Sequence, residues 1–318
     1  MRSPRIAAAV LVLGALASAC GSDDKPAASS TTATATSAVG GDDAFPVTVQ
    51  GANGTVTIPA KPTRIVSLAP TATESLFAIG AGAQVVAVDS NSSYPADAPV
   101  TDLSGYDPNL EAVAAHTPDL VVVSDDINGI VDGLTRLGIP VLQQPAAKEL
   151  DDVYAEIEQL GAATGHIADA AAVVGEMRQK IDAIVAGVGT PQRPLTYYHE
   201  LDSTYYSVTS ATFIGKMYSL VGLTNIADAA GVDAAGGYPQ LSPEFIIDAD
   251  PDLIFLADAK CCQQDAATVA ARPGWADLKT VRNNGVISLD DDVASRWGPR
   301  VVDLLDSIAT AVRSVPVG

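Results

Sequence analysis

The chain has 318 residues, 38 acids against 18 bases, a formal charge of −20 and an isoelectric point near 4.2. With 47% hydrophobic and 18% charged residues it is neither a disordered chain nor a charged coiled coil, and it is long enough for two lobes with separate cores. So acidic a surface repels phosphate backbones, which excludes nucleic acid as a partner but not a small anionic ligand held at a local site.

The first residues read as an address. A short basic stretch, Met1 to Arg5, precedes the uncharged run Ile6 to Ala19, too short to span a bilayer and of signal-peptide length. Leu16-Ala17-Ser18-Ala19-Cys20 resembles a bacterial lipobox, with Leu16 one place earlier than usual, and that resemblance implies a diacylated Cys20 as the new N-terminus. An ordinary secretory signal containing a cysteine is the alternative. Two acyl chains suffice for stable anchoring. Residues 1–19 are expected to be removed, which makes the mature chain more acidic by the charges of Arg2 and Arg5. Residues 20–44, poor in anything to bury, are the lipidated cysteine and a flexible tether. The two remaining cysteines, Cys261 and Cys262, are adjacent, and they read first as free, partly buried thiols in a loop. A strained disulfide or a contact to a soft metal or ligand stays open.

From Arg64 onwards strands and helices alternate. Arg64 to Ala69, Gln84 to Asp89, Leu120 to Ser124 and Val141 to Gln143 are short, β-branched and almost wholly apolar, as parallel strands covered on both faces are. Pro70 opens a helix that Gly80 closes. Leu195 to His199, Leu253 to Ala257 and Val286 to Leu289 repeat the pattern in the second half. An internal echo links the halves: the segment Glu111 to Val123 matches Glu244 to Leu256, each a short helix stopped by Pro-Asp and followed by a buried strand. Between them Leu150, Val153, Tyr154, Ile157 and Leu160 share a helix face ended by Gly165. Ile167, Ala170, Val174, Met177, Ile181, Ile184 and Val188 then predict a 22-residue helix about 33 Å long. This is either a connector of the lobes or a surface helix of one.

These residues resemble the substrate-binding proteins of ABC importers for cobalamin, ferric siderophores and haem. The resemblance covers roughly 56–315. It rests on Arg64 to Leu76, the two Pro-Asp-Leu strands, Thr212 to Gly215 with Gly222 to Ile226, Arg272-Pro-Gly-Trp275, and Arg296-Trp297-Gly298-Pro299-Arg300. Tyr198 to Asp202, with Tyr205 and Tyr206, is most similar to the cobalamin branch. The resemblance implies an α/β fold of two lobes with mainly parallel sheets joined by one long α-helix, with the ligand cleft between the lobes. The expected layout is an N-terminal lobe over 45–165, the helix over 166–190 and a C-terminal lobe over 191–318. It further implies a monomeric, lipid-anchored extracytoplasmic receptor, not an enzyme. Such a receptor captures a metal chelate, a corrinoid before an iron chelate or haem, and hands it to an ABC permease and its ATPase. An envelope scaffold uncoupled from transport is the reading from another class.

In that family one carboxylate on each lobe docks into permease arginines, and the resemblance implies Glu74 and Glu244. An acid early in a helix has capping as its ordinary role. Loops after strand C-termini supply the cleft in such folds, which nominates Pro70, Thr71, Tyr94, Tyr106, His199, Glu200, Tyr205, Tyr206, Arg296 and Trp297. Aromatic faces suit a flat macrocycle, and Arg296 or Arg300 suits a ligand carboxylate or phosphate, or else pairing between the lobes. In a strand Tyr197 and His199 share one face and Tyr198 the other, so at least one of these tyrosines is core. His199 is the one histidine placed to ligate a chelated metal; no resident cofactor or metal site is expected. No phosphate loop, zinc-protease or nucleophile-elbow motif occurs, and Asp290 to Asp292 reads as a solvated turn.

Overall fold

The computed structural model describes residues 44–189, 193–231 and 233–316. The signal segment, Cys20 and nearly all of the tether lie outside the described residues.

A hairpin of β1 (Val47–Gly51) and β2 (Gly54–Ile58) comes first, an element the sequence reading did not anticipate. Then follow β3 (Ile65–Ser67), α1 (Pro70–Ala78), β4 (Val85–Val88), α2 (Leu110–Ala115), β5 (Leu120–Val123), α3 (Ile130–Arg136) and β6 (Val141–Gln143). Two helices come next, α4 (Leu150–Thr164) and α5 (Ile167–Val188), turned into each other by Gly165 at a φ of 72°. The second half contains β7 (Leu195–Glu200), α6 (Phe213–Leu220), β8 (Leu223–Asn225), α7 (Pro243–Ala249) and β9 (Leu253–Leu256). It closes with α8 (Ala259–Cys262), α9 (Ala266–Ala270), α10 (Lys279–Arg282), β10 (Val286–Ser288), α11 (Asp291–Ala294) and α12 (Val301–Ser314).

The strands form two separate parallel sheets, ordered β4-β3-β5-β6 and β8-β7-β9-β10. Counted within its own half, each sheet runs second, first, third, fourth strand. The echo read from the sequence is therefore a repeat of topology: α2 and β5 stand in one lobe where α7 and β9 stand in the other. The aspartate of each Pro-Asp pair has a structural task there. Asp119 accepts from the backbone N–H of Thr63 and Arg64, and Asp252 from that of Thr196, so each ties the start of its strand to the start of the neighbouring one. Burial opposes ionisation of Asp252, yet hydrogen bonds from Arg193, Thr196 and Lys279 outweigh it and hold the carboxyl down at about 2.

Helix α5 is the long helix between the lobes. Its stripe Ala170, Val174, Met177 and Ile181 is buried, and it packs on α4 from the first half and α12 from the last. The two lobes consequently do not have wholly separate cores. One apolar cluster runs from Leu76 and Ile157 through Met177 to Tyr197, Leu305 and Ile308, while the outer faces of the two sheets have clusters of their own. Among the described residues no helix is long and apolar enough to cross a membrane.

Candidate functional site

In parallel sheets of this order, ligands lie beyond the carboxyl ends of the strands, where the chain leaves the first and third strands in opposite directions. In the first lobe that point is β3/β5, and in the second it is β7/β9. The polar seam between the lobes is made by α1, which follows β3, and the loop after β4, set against the segment that follows β10.

Glu74, on α1, is the hub of the seam. It is only 3% exposed, and its carboxylate accepts from Arg296 at 2.7 Å and from Arg300 at 2.8 and 2.5 Å. Arg296 also reaches the Asn91 carbonyl and Asp292, both at 2.8 Å. Glu74 is thus neither a capping acid nor a free docking carboxylate. It lies five residues into α1, past the first turn, and is buried against two arginines of the other lobe. The arginines, read from the sequence as ligand anchors or interlobe pairs, make the interlobe pairs.

Trp297 closes the seam from the other side. Its indole N–H donates to Glu156 of α4 at 3.0 Å, and the ring shares a small crevice with Thr71, Ser75, Ser124 and Gln144. Burial pushes the Glu156 carboxyl up to about 7, against the hydrogen bond from Trp297. Pro70 is half-buried at the first turn of α1. Tyr94 is 46% exposed and lies beneath Arg300, whose guanidinium carbon is 4.2 Å from the ring centre. The two residues line a groove of about 550 Å³ along α5, with Met177 and Lys180 opposite.

The structure corrects His199 and Glu200. His199 is fully buried, with Nδ1 2.8 Å from the Tyr218 hydroxyl, and burial holds its imidazole down at about 3. Its partner comes from α6, and the whole ring is sealed beneath the inner core, so it is unavailable to a chelated metal. Glu200 is fully buried as well, and Arg272 grips it with two hydrogen bonds of 2.6 Å. The same guanidinium covers Trp275 and Tyr205, which stack with ring centres 5.9 Å apart. Tyr205 is therefore half-buried scaffolding. Both Tyr197 and Tyr198 are core, because the two faces of β7 are covered.

Exposed aromatics remain at the strand ends. Tyr106 is 79% exposed in the first lobe, and Tyr206 and Tyr238 are 41% and 43% exposed in the second. Tyr206 and Tyr238 belong to one ribbon, held by a bridge from Tyr206 to Gln240 and by Ser207 N–H donating to the Pro239 carbonyl. Tyr238 was missed in the sequence, where only its place between two glycines and a proline hinted at an exposed turn. The aspartate run is not a solvated turn: Asp290 caps α11, Asp291 accepts from the backbone of Lys260 and Cys261, and Asp292 pairs with Lys260 and Arg296. Cys261 and Cys262 are exposed and joined by a disulfide, not free and half-buried. Among the described residues no three His, Cys, Asp or Glu side chains are grouped to hold a metal ion.

The model of the periplasmic binding protein family matches residues 65–293, a span that takes in both sheets and the seam up to α11. The chain belongs to the periplasmic binding protein family. It is 33% identical over 287 residues to a cobalamin-binding protein of Halobacterium salinarum, covering 86% of this chain and 76% of that one. It is 30% identical over 280 residues to the Bacillus subtilis ABC transporter substrate-binding lipoprotein YvrC, with 85% and 86% covered. The crystal structure of the periplasmic vitamin B12 binding protein BtuF of Vibrio cholerae superposes with a TM-score of 0.67 at 26% identity, over 80% of this chain and 97% of that one. The two-lobed fold around a long helix is thus that of extracytoplasmic solute-binding proteins.

Proposed function

We propose that this chain is the ligand-capturing component of an ABC importer, anchored by a lipid on Cys20, and that its ligand is cobalamin or a related corrinoid. The observation that carries the reading is 33% identity to a cobalamin-binding protein, alongside tyrosines that stay exposed in each lobe. Tyr106, Tyr206 and Tyr238 offer flat apolar faces with hydroxyl edges, a match for a macrocycle fringed by amides. Haem is the second reading: with His199 sealed in the core, an exposed tyrosine would be the ligand offered to its iron.

The docking acids belong to the repeat. Glu111 and Glu244 are both exposed, and each is the second residue of its helix, after an Asn109 or Ser242 cap. We assign permease docking to this pair, Glu111 replacing Glu74. Titration of the detergent-purified full chain with cyanocobalamin, haem and a ferric siderophore, followed by intrinsic fluorescence, tests the ligand. Saturation by cyanocobalamin alone is expected, and saturation only by haem or the siderophore overturns the corrinoid reading. The double variant Glu111→Ala/Glu244→Ala is expected to bind with unchanged affinity yet lose uptake, since such surface charges set recognition of the partner. Normal uptake by that variant removes the docking assignment.

A further inference from the structure

Cys261 and Cys262 lie just beyond the carboxyl end of β9, in the four-residue helix α8, and both are exposed. Their disulfide encloses no intervening residue, so it removes almost no chain entropy and is not a device for global stability. Its effect has to be local, and the local connections lead to the seam. The backbone N–H groups of Lys260 and Cys261 donate to Asp291 at 2.9 and 2.7 Å, and the Lys260 ammonium donates to Asp292 at 2.6 Å. Asp292 in turn accepts from Arg296 at 2.8 Å, and Arg296 crosses to Glu74 and Asn91 of the other lobe. A second contact runs inward. Asp258 accepts the Cys262 N–H at its carbonyl, while its carboxylate is fully buried without a hydrogen-bond partner. The turn that carries the disulfide is thereby fixed on one side to a buried acid and on the other to the arginine that joins the lobes.

We propose that the Cys261–Cys262 disulfide is a redox modification site that sets the strength of the interlobe seam. Oxidised, it holds α8 as a rigid turn that presents Lys260 and two backbone donors to Asp291 and Asp292. Reduced, it frees that turn, and Asp292 and Arg296 lose their support. The co-reactant is a dithiol. One of its thiolates attacks a cysteine sulfur, the protein S–S bond breaks, and an S–S bond forms in the reductant. Two electrons and two protons pass to Cys261 and Cys262. Both residues are exposed, which gives such a reagent access, and an extracytoplasmic setting makes the oxidised form the resting one. The inference concerns the seam alone and does not depend on which ligand is bound.

Hydrogen–deuterium exchange with mass spectrometry on the full chain in detergent, with and without dithiothreitol, tests it. Reduction is expected to add two hydrogens and to speed exchange about tenfold over 259–264, and also over 291–300 and 89–93, across the seam. The variant Cys261→Ser/Cys262→Ser is expected to exchange at the fast rate in both conditions. Faster exchange confined to 259–264 overturns the coupling. Two thiols that react with iodoacetamide before any reductant is added overturn the disulfide itself, as does a reductant response that survives in the double serine variant.

Discussion

The Glu200–Arg272 pair shows how a polar residue at a strand end can be tied into the structure of this fold. Arg272 reaches Glu200 and Gln264 while covering Trp275 and Tyr205, so one guanidinium fixes a strand end and an aromatic stack. Glu200→Ala leaves that largely covered cation without its paired carboxylate, a change that costs about 3–5 kcal/mol, and urea unfolding should show the loss. A loss below about 1 kcal/mol would mean that Arg272 finds another partner. Asp258 makes a prediction of opposite character. Burial, with the charge of Glu200 added, pushes its carboxyl from 3.8 up to about 7. The folded chain therefore holds this proton more tightly than the unfolded one, and the stability it contributes is full below about pH 4 and lost as the pH rises towards 7. Asp258→Asn abolishes that dependence, so its melting temperature relative to the parent chain should rise between about pH 4 and pH 8. A difference that stays constant with pH would contradict the assignment.

At the scale of elements, the join of α4 to α5 sets how closely the lobes approach their connector. Gly161 has no room for a side chain: a methyl there would overlap the Ala170 Cβ and come within 3.0 Å of the His166 carbonyl. Gly161→Ala is expected to cost about 1–3 kcal/mol by overpacking, measured as a lower urea midpoint with an unchanged slope. An unchanged midpoint would mean that α5 slides away without loss. The strands β3 to β7, β9 and β10 and the helices α1, α4 and α5 were legible because burial on both faces and a repeating helical stripe leave strong patterns. The hairpin β1/β2 and the edge strand β8 were not. Each is short, and each draws its order from neighbours: Asn53 donates to the Val141 carbonyl, and β8 pairs along β7 at the sheet edge.

For the whole molecule the shared inner core matters most. Hinge closure by tens of degrees would force Met177 and Ile181 to repack against Leu305 and Ile308, all buried in one cluster. Lobe rotation between ligand-free and ligand-bound chain should therefore stay below about 10°, with ligand exchange served by opening at the seam. Distances between spin labels on the two lobes check this, and a rotation of tens of degrees would contradict it. By itself the sequence determined the class of fold, the repeated halves and the length of the connecting helix, because each rests on periodic burial or on a proline that stops a helix. Only the tertiary structure decided which polar residues are free. Glu74, Glu111, Glu200 and Glu244 look alike in sequence, each in a short helix or at a strand end. Two are consumed by arginines that lie 72 and more than 220 residues further along the chain, and two stay exposed. An ion pair across lobes leaves no local pattern, since its partners meet only after both sheets have folded and docked on α5.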